Sequence, residues 1–295
     1  MIDQAQRLRE LIKGEQGNIK ESKEIPHIKN GKIITIASGK GGVGKSNIVV
    51  NLAIALSNMG NKVLIFDADM GMSNDHLLIG QNPRYNVFDI VERGMDINEV
   101  VLEGPCGIHL ISGGTALDKI DTLEEKERET FLKKMYDLKD YDFVLIDTGA
   151  GVNKNILSFI ACSDEFIVVT TPEPTSLTDA YSLVKVIRHF EIKNSAHIII
   201  NKVFDKREGT LTYERFSSAV KNFLGMDTKL LGYIYEDRKL VESVRGQIPV
   251  YINYPNSNFS LCIKSISKKL MKSMEIEKEE AGMHGFFKKL FNLFS

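Results

Sequence analysis

The sequence predicts an α/β fold, a doubly wound and mostly parallel sheet with a short amphipathic helix at each end. Three observations predict it. Short apolar runs recur without polar alternation, longer helical patterns separate them, and a glycine-rich turn joins the first run to the first long helical pattern that follows it.

In chain order the apolar runs are "IITIAS" (33–38), "VLIFD" (63–67), "IHLIS" (108–112), "FVLID" (143–147), "FIVVTT" (166–171), "HIIIN" (197–201) and "LLGYI" (230–234). Runs this continuous suit strands buried on both faces. Helical patterns fall between them at 46–59, 122–138, 176–190 and 211–224. No internal repeat occurs.

Before the first strand, residues 3–13 form a short helical pattern. Asp3 is its N-cap, with Gln6 three residues on in capping-box position. Ala5, Leu8, Leu11 and Ile12 share one face, and Gly14 ends it. A helix this short is marginal alone, so it docks on its own core or folds on a partner. The polar stretch "GEQGNIKESKEIPHIKN" (14–30) reads as linker.

After the last strand and its helix, the chain passes through a charged spacer into "GMHGFFKKLFNLFS" (282–295). At 100° steps, Phe286, Phe287, Leu290, Phe291, Leu293 and Phe294 fill one arc of roughly 160°. Lys288, Lys289, Asn292 and Ser295 fill the rest. Such a stripe is expected to be a membrane-interface helix, and the competing reading is a helix that closes the domain's own core. The predicted organisation is therefore 1–30 (helix and linker), 31–274 (main domain) and 275–295 (spacer and membrane-targeting helix).

Composition narrows the function classes. The 295-residue chain is 43% hydrophobic and 26% charged, with a net charge of −1, so no broad basic field favours nucleic acid and no direct DNA binding is expected. Its three cysteines, Cys106, Cys162 and Cys262, are far apart and odd in number, which fits a reducing compartment rather than a disulfide framework. No CxxC pair suggests zinc or iron–sulfur. The N-terminus lacks an apolar leader, and no apolar run approaches the ~20 residues of a membrane span. The expected location is the cytosol.

The chemistry concentrates in "GKGGVGKS" (39–46). Gly39, Lys40, Gly41, Gly42, Val43, Gly44, Lys45 and Ser46 fit G-x-x-x-x-G-K-[ST] between a strand and a helix. The glycines let backbone N–H groups curl around phosphate, and the helix N-terminus adds its positive dipole end. Lys45 should reach the β/γ-phosphates of a nucleotide and Ser46 should ligate Mg²⁺. "FVLIDTGAG" ends its strand in Asp147, the usual place for a carboxylate that holds Mg²⁺ through water. "LIFDADMGMSND" ends another in Asp67 and Asp69, which could position water or merely cap a turn.

"KGGVGKS" also resembles the deviant Walker A motif of the MinD/ParA family, "DADMG" its switch I and "DTGAG" its switch II. The resemblance implies an Mg²⁺-dependent ATPase that forms a face-to-face homodimer around ATP. It implies that Lys40 reaches the other subunit's phosphates, that Asp69 orients the attacking water beside Asp67, and that Asn201 in "INK" contacts adenine. Asn47 stands where many relatives carry a second Ser or Thr; the Mg²⁺ ligand Ser46 is retained. "DQAQRLR" (3–9), "TTPEPTSLTDAYSLVK" (170–185) and "YPNSNFS" (254–260) are similar to the FlhG branch of that family, which controls flagellar number and placement. The likeness implies that Asp3, Gln4, Ala5, Leu8 and Arg9 engage an FlhF-type GTPase. It also implies that the C-terminal helix holds the ATP dimer at the anionic inner face of the cell membrane. Flagellar switch-ring components or a flagellar transcription regulator stand open as further partners. The rival readings are a MinD-like ATPase for division-site placement and a ParA-type DNA-segregation ATPase.

Overall fold

The computed structural model describes residues 31–69, 74–113, 123–274 and 282–294, leaving aside the side chains of 273, 274 and 294. The predicted N-terminal helix with its residues Asp3, Gln4, Ala5, Leu8 and Arg9, the linker, Met70 and Gly71 of "DADMG", the spacer 275–281 and the Phe294 side chain lie outside the described residues.

Eight described strands form one sheet in the order β3-β4-β2-β5-β1-β6-β7-β8. They are β1 (Lys32–Ser38), β2 (Val63–Ala68), β3 (Leu102–Glu103), β4 (His109–Ser112), β5 (Phe143–Ala150), β6 (Glu165–Thr170), β7 (Ser195–Val203) and β8 (Asp227–Tyr235). Only the short edge pair β3–β4 is antiparallel; the other described pairs are parallel. The seven predicted runs are all strands, and β1 and β2 are buried along their whole length. The described helices are α1 (Lys45–Ser57), α2 (Asp75–Leu78), α3 (Asp89–Glu92), α4 (Ile97–Val100), α5 (Glu125–Met135), α6 (Lys154–Cys162), α7 (Pro174–His189), α8 (Lys206–Leu224), α9 (Arg238–Arg245), α10 (Val250–Asn253), α11 (Asn258–Met274) and α12 (Gly282–Phe294).

Residues alternate between the two faces of each strand, so every inner strand feeds two cores. On one face Ile34, Ile36, Val63 and Ile65 pack under α1 and α11, with Phe259, Ile263, Ile266 and Leu270 from α11. On the other, Phe166, Val168 and Ile198 meet α7 and α8 through Leu183, Val184, Phe216 and Val220. All three cysteines are free, as their spacing predicts.

The C-terminal helix departs from the sequence expectation of a detached membrane-binding segment. α12 packs into the remaining part of that second face, where Phe286, Phe287, Leu290 and Phe291 join Phe66 of β2, Phe131 of α5 and Phe159 of α6. Phe287 is fully buried, edge-on to Phe131 at 4.8 Å and to Phe66 at 5.5 Å between centroids. Phe286 stacks on Phe159 at 6.1 Å. Leu293 is partly buried against the same cluster. The stripe read from the sequence is real, but a ring of core aromatics covers it instead of lipid. Among the described residues no helix is long and apolar enough to cross a membrane.

If α12 is part of the fold, truncating its buried face must cost stability. Phe287→Ala is expected to lose about 3–5 kcal/mol, as a buried Phe does. The exposed Lys288→Ala should stay within about 0.5 kcal/mol. Urea denaturation of both variants reads this directly, and an unchanged midpoint for Phe287→Ala would remove α12 from the folded core.

Candidate active site

β1 lies between β5 and β6, so the chain leaves β1 at the point where the sheet's connections diverge to either side. Ligands of open parallel sheets bind at such a point, beyond the strand C-termini. A cavity of about 710 Å³ opens there, lined by Gly41 to Asn47 together with Asp69, Ala150, Leu77, Val244 and Gln247.

The turn after β1 needs glycine at both ends for different reasons. A Cβ at Gly39 would lie 2.2 Å from the backbone of Asp179, so only glycine allows the loop to run against α7. Gly44, at φ 90°, is left-handed and opens α1 without any side-chain cap. α6, α8 and α9, by contrast, are capped by Asn153, Asp205 and Asp237. The first amides of α1 are thus left facing the cavity end, the arrangement that binds a phosphate.

The end of β7 holds the loop from behind. Asn201 donates its side-chain amide to the Val43 carbonyl at 2.7 Å, and Lys202, at φ 56°, donates to the Gly42 carbonyl at 2.8 Å. Asn201 is buried and is not among the residues that line the cavity. Its side-chain amide is engaged with the phosphate loop.

Below the loop, β2 and β5 are in register with Asp67 opposite Asp147. Both carboxylates are buried, and Lys45, 7% exposed, is ion-paired with Asp147. Asp67 accepts the backbone N–H of Asp69 at 3.2 Å and of Asp75 at 3.3 Å. Burial, then the neighbouring Asp147 and Asp67 carboxylates, push the Asp75 carboxyl well above its usual range, against the opposing pull of Lys45. Asp69 is half-buried at the cavity wall, and a Cβ at Gly149 would come 3.4 Å from its Oδ1. The predicted switch II therefore abuts Asp69. Its backbone is fixed at its ends, with Gly151 N–H donating to Ser38 and the Thr148 hydroxyl to Ile36.

Lys40 points elsewhere. Its ammonium donates to Glu173 at 3.1 Å and to the Thr175 hydroxyl at 2.8 Å. The Lys40 and Glu173 side chains are 38% and 62% exposed, so the pair is worth about 0–1 kcal/mol and is readily given up.

The donors present fit Mg²⁺. Ser46, in the first turn of α1, lines the cavity, and Asp147 stands buried toward the end of β5; both carry hard oxygen donors of the kind such an ion prefers. The structure thus gathers Gly39, Gly41 to Asn47, Asp67, Asp69 and Asp147 into one site, and places Lys40 at its margin. The expected membrane-binding residues Phe286 to Leu293 lie apart from it, in the aromatic core. Sequence reasoning missed Asp75, the Glu173–Thr175 clip on Lys40, and Val244 and Gln247 of the α9 end. Asp75 stands in the same acidic stretch as Asp67 and Asp69, which was the one available signal.

Residues 34–250 match the family described as the CobQ/CobB/MinD/ParA nucleotide binding domain. The chain is 34% identical to the flagellum site-determining protein YlxH of Helicobacter pylori, across 98% of each chain. It is 30% identical to the antiactivator FleN of Pseudomonas aeruginosa, across 81% of this chain and 86% of that protein. The septum site-determining protein MinD of Pyrococcus horikoshii, solved with Mg-ADP, shares the fold at a TM-score of 0.65 and 24% identity, covering 85% of this chain and 100% of that one.

The clamp on the loop yields a prediction. Asn201→Ala leaves the buried Val43 carbonyl without its donor, at a cost of about 1–3 kcal/mol. ATP affinity should fall with stability, because the loop loses its support. Calorimetric ATP titration beside a thermal melt tests this, and wild-type values in both would show the clamp to be incidental.

Proposed function

The chain belongs to the CobQ/CobB/MinD/ParA nucleotide-binding family, and from that premise we propose that it is an ATP-driven dimerising switch that controls flagellar number and placement. The observation that carries the proposal is the pair of lysines on one loop. Lys45 is buried against Asp147, and Lys40 is clipped weakly at the surface. One is placed to serve its own nucleotide, and the other is free to serve a neighbour's.

In this reading the α1 amides and Lys45 take the phosphates of ATP, and Lys45 exchanges Asp147 for them. Ser46 and Asp147 would hold Mg²⁺, which when bound would supply positive charge against the phosphates. Asp69, backed by Gly149 and tied through its N–H to Asp67, orients a water in line with the γ-phosphorus. That water forms the new P–O bond, the bond to ADP breaks, and phosphate leaves. Lys40 releases Glu173 and Thr175, and reaches the phosphates of a second copy, supplying the positive charge that an arginine finger supplies elsewhere. Turnover is slow, since the cycle times assembly.

The ends couple this cycle to partners. The motif at residues 3–9 activates an FlhF-type GTPase, a role that the similarity to a flagellum site-determining protein supports. Membrane attachment, in this reading, requires α12 to leave the aromatic core described above. It belongs to the dimer, where two released helices act together at an anionic surface. The resting chain is cytoplasmic.

Lys40→Ala should still bind one ATP per chain, because Lys45 and the loop backbone remain. It should not dimerise with ATP, and hydrolysis should fall by 10³-fold or more, as when an arginine finger is lost, about 10³–10⁵. Light scattering and a phosphate-release assay read both; normal dimers that hydrolyse ATP would sink the trans role.

Deleting residues 1–14 should leave ATP hydrolysis intact and abolish stimulation of the partner GTPase. A peptide of residues 1–20 should stimulate by itself. Stimulation only by the intact ATP dimer would defeat the idea of an autonomous helix.

A further inference from the structure

α9 turns apolar side chains outward and keeps polar ones for the fold. Asp237 caps it, accepting the Lys239 N–H at 2.9 Å with one oxygen and the Phe259 N–H of α11 at 3.2 Å with the other, so the helix is fixed on its neighbour. Its buried residue is Ser243, which accepts the Asn253 side-chain amide at 3.2 Å, and Leu240 is partly buried against the core. Glu242 accepts the Tyr254 hydroxyl at 2.9 Å, and Lys239 lies 4.6 Å over the Tyr254 ring. Val241 and Val244, one turn apart, are left exposed, and so is Ile248 just past the helix.

These side chains stand where the nucleotide cavity opens. Val244 and Gln247 line it together with Leu77 of α2, and Leu77 is itself exposed. The end of α9 packs on the turn after α2, since a Cβ at Gly80 would come 2.9 Å from the Gln247 carbonyl oxygen. Val152 and Phe204, which follow β5 and β7, expose apolar surface at the same end of the sheet. Apolar side chains gathered about one opening mark a surface to be covered.

Whatever covers this face also closes the cavity mouth, because Val244 and Leu77 belong to both. Arg238, Glu242 and Arg245 are exposed beside the valines, a mixed-charge rim like that of a protein interface. A lipid-facing helix carries cations there instead. A second copy meets both conditions, since its Lys40 reaches these phosphates only from across the mouth. On the premise of the ATP dimer, we propose that Val241, Val244 and Ile248, with Leu77, form the apolar seat of a second copy of this chain. In a two-fold pair each copy offers the seat once and occupies its partner's once. The seat adds affinity only when the mouth is closed, so adhesion and hydrolysis in trans share one geometry.

Val241→Glu and Ile248→Glu test this, since neither residue lines the cavity and both are exposed in the single chain. Sedimentation velocity with ATP and Mg²⁺ reads the dimer, calorimetry reads ATP binding, and a melt without nucleotide reads the fold. Each variant should melt as wild type does and bind ATP within about twofold, yet dimerise more weakly by roughly tenfold or more. Should glutamate unsettle the fold, Val241→Ser gives the same reading with a smaller perturbation. A folded variant that dimerises within about twofold of wild type overturns the seat and leaves the ATP dimer standing. A variant that loses ATP binding assigns the face to the nucleotide, and one that dimerises normally but no longer sediments with anionic vesicles assigns it to lipid; either result overturns the seat. A wild type that stays monomeric with ATP overturns the dimer reading itself, and the seat with it.

Discussion

Buried charge at the C-terminal ends of β2 and β5 is the constraint on which the rest of this structure depends. Parallel register sets Asp67 directly opposite Asp147, and neither has water to share its charge. A buried ion pair is a poor source of stability, since desolvating both partners offsets most of their attraction. Its value here is positional. Lys45 has one partner in the protein and can have another in a phosphate, so the first turn of α1 is poised between two states. The surrounding features keep only that turn adjustable: Asn201 pins the loop carbonyl, Gly151 is bonded to Ser38, and α1 begins without a cap.

The same logic separates what could be read in the sequence from what could not. Strands buried on both faces announce themselves as unbroken apolar runs, so seven strands and the doubly wound order of β and α were legible. β3 is two residues long at an edge, and α2, α3, α4 and α10 are four each. Elements that short carry no period. The phosphate loop was legible because its chemistry lies in local spacing and backbone conformation. Contacts made across the chain were not. Asn201 meets Val43 over 158 residues of sequence, and Lys40 meets Glu173 over 133. Asp75 was visible as a letter, but its enclosure beside Asp67 and Asp147 exists only once β2, β5 and α2 are assembled.

The C-terminal helix shows where an amphipathic pattern stops being informative. A stripe of phenylalanine specifies that the face will be buried and leaves its cover open. Here the cover is Phe66, Phe131 and Phe159, which meet the helix edge-on or stacked. Such ring pairs add about 0.5–1.5 kcal/mol each beyond the area they bury. A bilayer interface offers the area without the ordered rings, and less of the area than a core does.

For a single helix, docking therefore wins over lipid, and a constitutive anchor is not what this packing builds. Under the proposed function, lipid binding is coupled to an event that changes the count or the cover. Two helices released in one dimer add their affinities through effective concentration, which a monomer cannot do. The core that holds α12 is continuous with β2 through Phe66, and Asp67 is the next residue of that strand. One strand thus carries the nucleotide edge at its tip and the helix dock on its flank. A shift of the buried charges at Asp67 and a loosening of α12 would act on the same element, and under the proposed function that shared strand is the route from the nucleotide to the helix.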